Sequence, residues 1–212
     1  MNRVELKERA KVSLKGKYGD AIAVMGIEYL INVGVEILIT FIMGICAVIG
    51  FGTGAISLLS IILSFAVTGL IGFGKISFYL KLSRNEDVNY REVFSKFELC
   101  LPYILISVTT GIFVFLWSLL FIIPGIIASL SYTLVYYIKL DNPELDTMEV
   151  INKSKEMMNS HKMDYAILSL SFIGWSILGI FTFGLLYLWL TPYMSVTFAN
   201  FYNSLKEQET TN

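Results

Sequence analysis

The sequence predicts an all-α polytopic membrane protein with six transmembrane helices, arranged as three hairpin repeats with short interfacial amphipathic helices. Three stretches of about forty residues carry no charge: Ile37 to Gly74, Leu99 to Ile138 and Tyr165 to Leu205. A spanning helix needs about 20 apolar residues, so each stretch has room for two spans and a tight turn. Lys or Arg is among the charged residues that flank each stretch. Since segments rich in Lys and Arg stay in the cytoplasm, both chain termini are predicted to be cytoplasmic.

The composition agrees with this fold class. The 212 residues are 55% hydrophobic, which exceeds the apolar share of soluble domains. The net charge is near −1, but nearly all of the 16 Lys and Arg lie in four segments that the hairpins place in the cytoplasm: Met1–Asp20, Lys81–Glu98, Lys139–Asp164 and the tail after Leu205. The predicted outer turns, near Gly50–Gly54, Pro124–Gly125 and Thr182–Gly184, are short and uncharged. Recognition of a large extracellular ligand is therefore not expected.

The boundaries of each element follow from where charge stops and starts again. We predict six spans, at Ala21–Ile49, Ala55–Leu82, Leu101–Ile122, Ile126–Leu140, Tyr165–Phe181 and Leu185–Ser204. Residues 1–212 then form a single membrane domain: an N-terminal cytoplasmic amphipathic helix (1–18), three hairpins (21–82, 101–140 and 165–204) and a cytoplasmic tail (205–212). The first two spans are long enough to tilt or to project into the cytoplasm.

A polar segment with amphipathic spacing precedes each hairpin. In the first, Leu6, Ala10 and Leu14 share one face, and Arg3, Lys7, Lys11 and Lys15 line the next. The corresponding apolar faces are Tyr90, Val93, Phe94 and Phe97 in the second segment, and Met148, Ile151 and Met158 in the third. Basic amphipathic helices of this kind lie on anionic membrane surfaces. The alternative is a solvated helix that packs on the helix bundle.

Short motifs recur at the ends of the hairpins. Phe78–Leu82, Tyr136–Leu140 and Phe201–Leu205 each begin with two aromatic residues and end with Leu. Trp-Ser-x-Leu occurs at Trp117 and again at Trp175, before the second and third outer turns. A repeating unit of interfacial helix plus hairpin would explain these matches, although aromatic residues also favour the membrane interface for their own reasons.

Several strings in the second half resemble one known family. Leu116–Ile127, Asp141–Glu144, Ser154–Met158 and Leu170–Trp175 resemble segments of the bacterial membrane-protein family catalogued as domain of unknown function 975. The resemblance implies a polytopic protein of the bacterial cytoplasmic (plasma) membrane. The family brings no established activity and no catalytic residues, so it does not decide between functions.

Polar residues within the first hairpin are the main candidate site. Glu28, Asn32, Glu36 and Thr40 are spaced by four and form one stripe on the first span. Ser57, Ser60, Ser64, Thr68 and Lys75 form a similar stripe on the second span. If the hairpin turns near Phe51, Glu28 lies level with Lys75 and Glu36 lies level with Thr68. We therefore expect a Glu28–Lys75 ion pair, whereas Glu36 has only hydroxyl groups nearby.

Two roles are open for these groups. Hydroxyl and amide side chains commonly join spans by hydrogen bonds, while an ionisable residue within a span is a functional candidate by default. Pro124 and Gly125 are predicted to make an outer turn, and Pro192 to interrupt the last span. A broken helix can line a transport site, but a proline kink is also tolerated structurally.

The sequence favours a non-enzymatic membrane protein. It contains no His, Cys and carboxylate cluster with metal-ligand spacing and no known catalytic or phosphate-binding motif, so we expect no catalytic residue, metal or cofactor. The leading hypothesis is a membrane interaction or assembly factor at the cytoplasmic leaflet. Its expected partners are anionic lipids, a partner protein or further copies of the chain, and not nucleic acid. The alternative is a small transporter or lipid-handling protein with a cavity lined by Glu28, Asn32 and Glu36.

Overall fold

The structure is a computed structural model that describes the backbone of residues 2–48 and 53–211. Side chains are described there except at positions 53, 55–59, 61–63, 65–68, 70, 210 and 211. In this part of the chain every regular element is helical: α1 Arg3–Leu14, α2 Tyr18–Val48, α3 Thr53–Ser83, α4 Cys100–Leu120, α5 Ile122–Ser131, α6 Val135–Asp141, α7 Thr147–Met157, α8 Lys162–Leu170, α9 Ile173–Phe181 and α10 Tyr187–Thr211. Two 3₁₀ helices, Tyr90–Phe94 and Phe97–Leu99, precede α4. The prediction of an all-α protein is confirmed.

Four segments of the described chain are long and apolar enough to cross a membrane: Tyr18–Val48, Phe97–Leu120, Ile122–Asp141 and Lys162–Phe181. They correspond to the first, third, fourth and fifth predicted spans. Only 6% of the most apolar window is buried in each of the first two, so these helices present apolar surface outward, as contact with lipid requires. α3 is as long as α2, but many of its side chains lie outside the described set. α10 combines an apolar half with a charged C-terminal end.

The N-terminal amphipathic segment forms a helix that packs on the bundle. Asn2 caps α1 by accepting a hydrogen bond from the Val4 backbone N–H at 3.1 Å. α1 buries Leu6, Ala10 and Leu14 against α10 and α3, as its spacing predicts. Its apolar face therefore contacts protein. The interpretation of α1 as a solvated helix that packs on the bundle applies to this face.

The other two polar segments differ from their predictions in detail. In the second, the chain forms the two 3₁₀ helices instead of an amphipathic α-helix, with Val93 buried and Phe94 exposed. In the third, α7 begins with a capping box between Asp146 and Glu149. Ile151 is buried there as predicted, but Met148 is exposed.

Two of the predicted outer turns fall in the described residues. The first prediction, Gly50–Gly54, lies largely outside them, since residues 49–52 are not described. The second turn is at Phe121, which has extended backbone between α4 and α5, and not at Pro124–Gly125. Pro124 lies in the first turn of α5, where the missing N–H is tolerated because that donor has no helical partner. The third turn is confirmed at Thr182–Gly184, with positive φ at Phe183 and Gly184.

Pro192 does not end a helix. It lies inside α10, which continues from Tyr187 to Thr211. Tyr193 packs its ring edge-on against Phe172 with 5.6 Å between the centroids, and Leu190 is buried in the same core. Packing on both sides of Pro192 therefore accompanies a helix that continues across the missing hydrogen bond, which agrees with the structurally tolerated proline and not with a broken helix.

Residues near the turns of the second and third hairpins lie close to charged side chains. Lys155 and Lys162 line one cavity with Trp117 and Pro124, beside the turn at Phe121. The hydrocarbon core of a membrane is about 30 Å thick. Residues that line one cavity are much closer together than that, so they cannot lie on opposite faces of the membrane. The turn of the second hairpin is thus near cationic groups that the sequence assigns to the cytoplasm, and the prediction that this turn and these lysines lie on opposite faces of the membrane is wrong. Lys7 lines a second cavity in the same way, beside the third hairpin.

Candidate functional site

The first candidate site is the ion pair between α2 and α3. Lys75 Nζ donates to Glu28 Oε1 at 2.5 Å, and each side chain is about one third exposed. Both residues lie within regular helices, so the register of the hairpin places them at the same height along α2 and α3. The predicted Glu28–Lys75 pair is therefore present, and it joins the two helices of the first hairpin.

Two further polar residues of the stripe on α2 form hydrogen bonds within their own helix. Asn32 Nδ2 donates to the Glu28 backbone oxygen at 2.8 Å, and Thr40 Oγ1 donates to the Glu36 backbone oxygen at 2.8 Å. Both of these bonds stay within α2. The side chain of Thr68 lies outside the described residues.

Glu36 stands apart from the ion pair. Its side chain is exposed on α2, among exposed apolar residues that include Ile37 and Phe41. Among the described side chains, none contacts its carboxylate as a hydrogen-bond or ion-pair partner. A carboxylate on an apolar, outward-facing surface has a high cost unless water or another molecule covers it.

We predict opposite effects for the two carboxylates of this stripe. Glu28→Gln leaves Lys75 without its counter-ion, so the free energy of unfolding should fall by about 1–3 kcal/mol. Glu36→Gln removes a charge without a described partner from an apolar surface, so the free energy of unfolding should stay unchanged or rise. Thermal unfolding in mild detergent measures both. The double variant Glu28→Gln with Lys75→Met should recover much of the loss. An equal loss in Glu36→Gln would instead assign Glu36 to packing.

A second polar cluster joins the ends of three helices, and no sequence motif predicted it. Arg84, just after α3, donates two hydrogen bonds to the Asp141 carboxylate at the end of α6, at 3.0 and 2.7 Å. Tyr202 Oη and Lys206 Nζ on α10 donate to Asp141 Oδ2 at 3.0 and 2.5 Å. The Asp141 side chain is 9% exposed. One buried carboxylate thus holds three chain segments together.

An amide extends this cluster. Asn203 on α10 accepts a hydrogen bond from Arg84 Nε at 3.1 Å and donates to Ser83 Oγ at 2.9 Å. Ser83, Asp141 and Lys206 each directly follow the last Leu of the recurring aromatic motif. This shared position in the motif could have pointed to the cluster from the sequence. Only the tertiary structure, however, brings the three residues into one network.

An open polar groove of about 870 Å³ lies beside this network, between α1 and the ends of α3 and α10. Its walls carry charges of both signs: Glu5, Glu8, Arg9, Arg84, Lys206 and Glu207. Asn200 Nδ2 donates to the Leu6 backbone oxygen at 3.4 Å and ties α10 to α1 along the floor. Mixed charge of this kind suits a polar protein segment better than a single ion.

A further ion pair fixes the segment after α3. Lys81 Nζ lies 2.8 Å from Glu92 Oε1, and Ser77 and Ser95 donate to the same oxygen at 3.0 and 2.8 Å. Burial alone would raise the pKa of Glu92, but these three donors outweigh it and hold the pKa below its ordinary value. The carboxylate therefore stays charged and anchors the 3₁₀ segment to α3.

Glycines allow the close helix contacts around these sites. A Cβ on Gly72 would lie 2.5 Å from the Tyr103 ring, and one on Gly69 would lie 2.9 Å from the Ile104 side chain. A Cβ on Gly125 would overlap Ser118, so this glycine lets α5 pack tightly on α4.

In the part of the chain that the structure describes, no group of three or more His, Cys, Asp or Glu could hold a metal ion.

Comparison with protein families finds one match, described as "Protein of unknown function (DUF975)", over residues 1–128 and 119–209. The chain belongs to this family. The match covers nearly the whole sequence and confirms the resemblance drawn from Leu116–Ile127 and the related strings. No curated protein and no solved structure matches the chain. The family description states no activity, so the function has to be argued from this chain's own residues.

Proposed function

We propose that this DUF975 protein is a non-enzymatic interaction or assembly factor of the bacterial plasma membrane, acting at the cytoplasmic leaflet. The observation that carries the proposal is the mixed-charge groove between α1 and the ends of α3 and α10. α1 and the ends of α3 and α10 meet at that groove, and the apolar face of α1 is used for internal packing. The exposed surface there is then free to bind a partner protein or a second copy of the chain.

The topology belongs to the same proposal. With both termini in the cytoplasm, the groove faces the cytoplasm because α1 and the end of α10 form its walls. The Arg84–Asp141–Lys206 network supports a fixed shape for that face, since each residue comes from a different part of the chain. A preformed site loses less entropy on binding than a flexible one.

Site-specific photo-crosslinking in living cells tests the proposal. Val12 and Val4 are both 68% exposed on α1, but only Val12 lines the groove. A photoreactive residue at Val12 should give one discrete protein adduct, and the same residue at Val4 should not. An adduct of twice the chain's mass would identify a second copy. The adduct should disappear when Arg9→Glu reverses one charge of the groove wall. Identical adducts at both positions, or lipid adducts alone, would contradict the proposal.

A second candidate function is transport or lipid handling along the stripe of Glu28, Asn32 and Glu36. The observation in its favour is the exposed Glu36 carboxylate, which lies on an apolar helix surface without a described partner. Against it, Glu28 is already paired with Lys75, and Asn32 bonds to its own helix. Loss of a transport activity in Glu36→Gln, at unchanged stability, would favour this candidate over the first.

A further inference from the structure

A cavity of about 550 Å³ lies between α1, the start of α2, α9 and α10, on a different side of α1 from the groove. Its polar lining consists of Lys7, Lys11, Tyr18 and Tyr193, and its apolar lining includes Trp175 and Trp189. The two sets come from different elements, since both lysines are on α1 and both tryptophans are on α9 and α10. Cationic groups and aromatic surface therefore meet along one edge.

The two faces of α1 carry different charges. Arg3, Lys7 and Lys11 are spaced by four and share one face. Burial lowers the pKa of Lys7, and the charges of Lys11 and Arg3 lower it further. Lys7 Nζ lies 4.3 Å from the centroid of the Phe172 ring. A cation in such a position is partly desolvated and close to other cations, and an anion would relieve both costs.

One existing contact competes for this anion. Lys11 Nζ pairs with Glu8 Oε1 at 2.7 Å, and both side chains are more than half exposed. Exposed pairs three residues apart on a helix contribute little to stability. Lys11 can therefore turn toward an anion in the cavity at small cost, whereas Lys7 has no carboxylate partner among the described residues.

The apolar wall of the cavity continues into exposed apolar surface. Trp175 and Trp189 are 55% and 51% exposed, and Phe183 at the hairpin turn is 99% exposed. Trp and Tyr favour the boundary between lipid headgroups and hydrocarbon. Cationic and hydroxyl groups therefore line the same cavity as exposed indole groups, and a phospholipid likewise has an anionic phosphate next to apolar acyl chains.

We propose that this cavity binds an anionic phospholipid of the leaflet next to α1, with its phosphate between Lys7 and Lys11 and its acyl chain along Trp175 and Trp189. The inference rests on the proposed placement of α1 at the cytoplasmic leaflet. The apolar wall favours a lipid over a free phosphate ion, since a soluble ion would leave Trp175 and Trp189 uncovered. The tyrosine hydroxyls of Tyr18 and Tyr193 supply two further donors to the phosphate.

Tryptophan quenching by brominated lipids tests this site directly. In a Trp117→Phe background the remaining tryptophans are Trp175 and Trp189, both in the cavity wall. The protein is placed in bilayers of phosphatidylcholine mixed with phosphatidylglycerol, with bromine on one lipid or the other. Wild type should bind brominated phosphatidylglycerol about 25-fold more strongly than brominated phosphatidylcholine, since two lysines contribute about fivefold each. The preference should fall by about fivefold for each lysine removed in Lys7→Gln and Lys11→Gln.

Two variants separate this effect from a general change of charge or fold. Lys7→Arg with Lys11→Arg keeps both charges and should keep the preference. Lys96→Gln with Lys153→Gln removes two charges outside the cavity and should leave the preference unchanged. Equal binding of the two lipids by wild type, or an unchanged preference in the Lys7→Gln, Lys11→Gln variant, would overturn the proposal. Loss of the preference in excess inorganic phosphate would assign the site to a free anion and also overturn it.

This measurement is independent of the groove. Lys7 and Lys11 are absent from the groove lining, and Val12 is absent from the cavity lining. If crosslinking at Val12 fails while the lipid preference holds, the interaction function is wrong and the lipid site stands. The reverse outcome would leave the interaction function and remove the lipid site.

Discussion

Asp141→Asn is expected to lower the free energy of unfolding by about 3 kcal/mol. The substitution keeps the shape of the side chain but removes the charge that Arg84, Tyr202 and Lys206 share. Removing one partner of a buried ion pair is strongly destabilising because the remaining charge stays buried without compensation. Arg84 is mostly buried and Lys206 is half exposed, so most of the loss should come from Arg84. Thermal and denaturant unfolding in detergent or nanodiscs measure it.

Asp87→Asn is the matched control for this prediction. Asp87 is fully exposed and its carboxylate lies 3.3 Å from Lys17 Nζ. Exposed pairs contribute little, so the stability should change by less than about 0.5 kcal/mol. Similar effects of the two substitutions would show that the Asp141 cluster does not hold the helix ends together. The groove proposal would then lose its rigid floor, and crosslinking at Val12 should be repeated in the Asp141→Asn variant.

Gly74→Ala is the second large expected effect, a loss of at least about 3 kcal/mol or failure to fold. A Cβ at Gly74 would overlap the backbone carbonyl of Val93 and lie 2.7 Å from the Val93 Cα. Backbone atoms cannot rotate away as a side chain can, so the 3₁₀ segment would have to leave α3. That movement would also separate Glu92 from Lys81.

Gly34→Ala gives the comparison for Gly74→Ala. Gly34 is exposed on α2, and a Cβ there would have no neighbour within 4 Å. Alanine is the better helix former by about 0.5–1 kcal/mol, so Gly34→Ala should leave the unfolding temperature unchanged or raise it slightly. A stable, well-expressed Gly74→Ala protein would contradict the close packing of Val93 on α3. Yield after detergent extraction and unfolding temperature are sufficient readouts for both variants.

The two proposals assign different faces of α1 to different partners. The groove carries Glu5 and Glu8 beside Arg9 and is suited to a polar protein surface. The cavity carries Lys7 and Lys11 beside aromatic rings and is suited to a lipid. α1 itself is anchored through Leu6, Ala10 and Leu14, so its buried side is neither of these faces.

Some long-range geometry followed from local rules. The Glu28–Lys75 pair was predictable because both residues lie on regular helices of one hairpin, where the turn position fixes which residues are level. The buried face of α1 was predictable because apolar residues spaced by four share one side of a helix. In α7, Ile151 followed this rule and Met148 did not, because only part of the predicted face meets α4 and α6.

Other features could not be read from the chain. Arg84, Asp141 and Lys206 are separated by 57 and 65 residues, and their meeting depends on how α3, α6 and α10 are oriented. The second turn lies at Phe121, and Gly125 follows it inside α5, where it packs closely on Ser118. The sequence left open whether Pro192 breaks the last helix or is tolerated within it, and the structure shows a continuous helix in which Tyr193 packs on Phe172.

The sequence by itself determined the all-α class, the long apolar segments and the register of the first hairpin. These are properties of contiguous residues, since helix periodicity and transfer of apolar side chains out of water act along the chain. Only the tertiary structure decided that α1 packs on α10, that three helix ends share Asp141, and that Lys7 and Lys11 meet Trp175 and Trp189. These contacts join residues far apart in sequence, so they depend on the relative positions of whole helices, which local patterns do not fix.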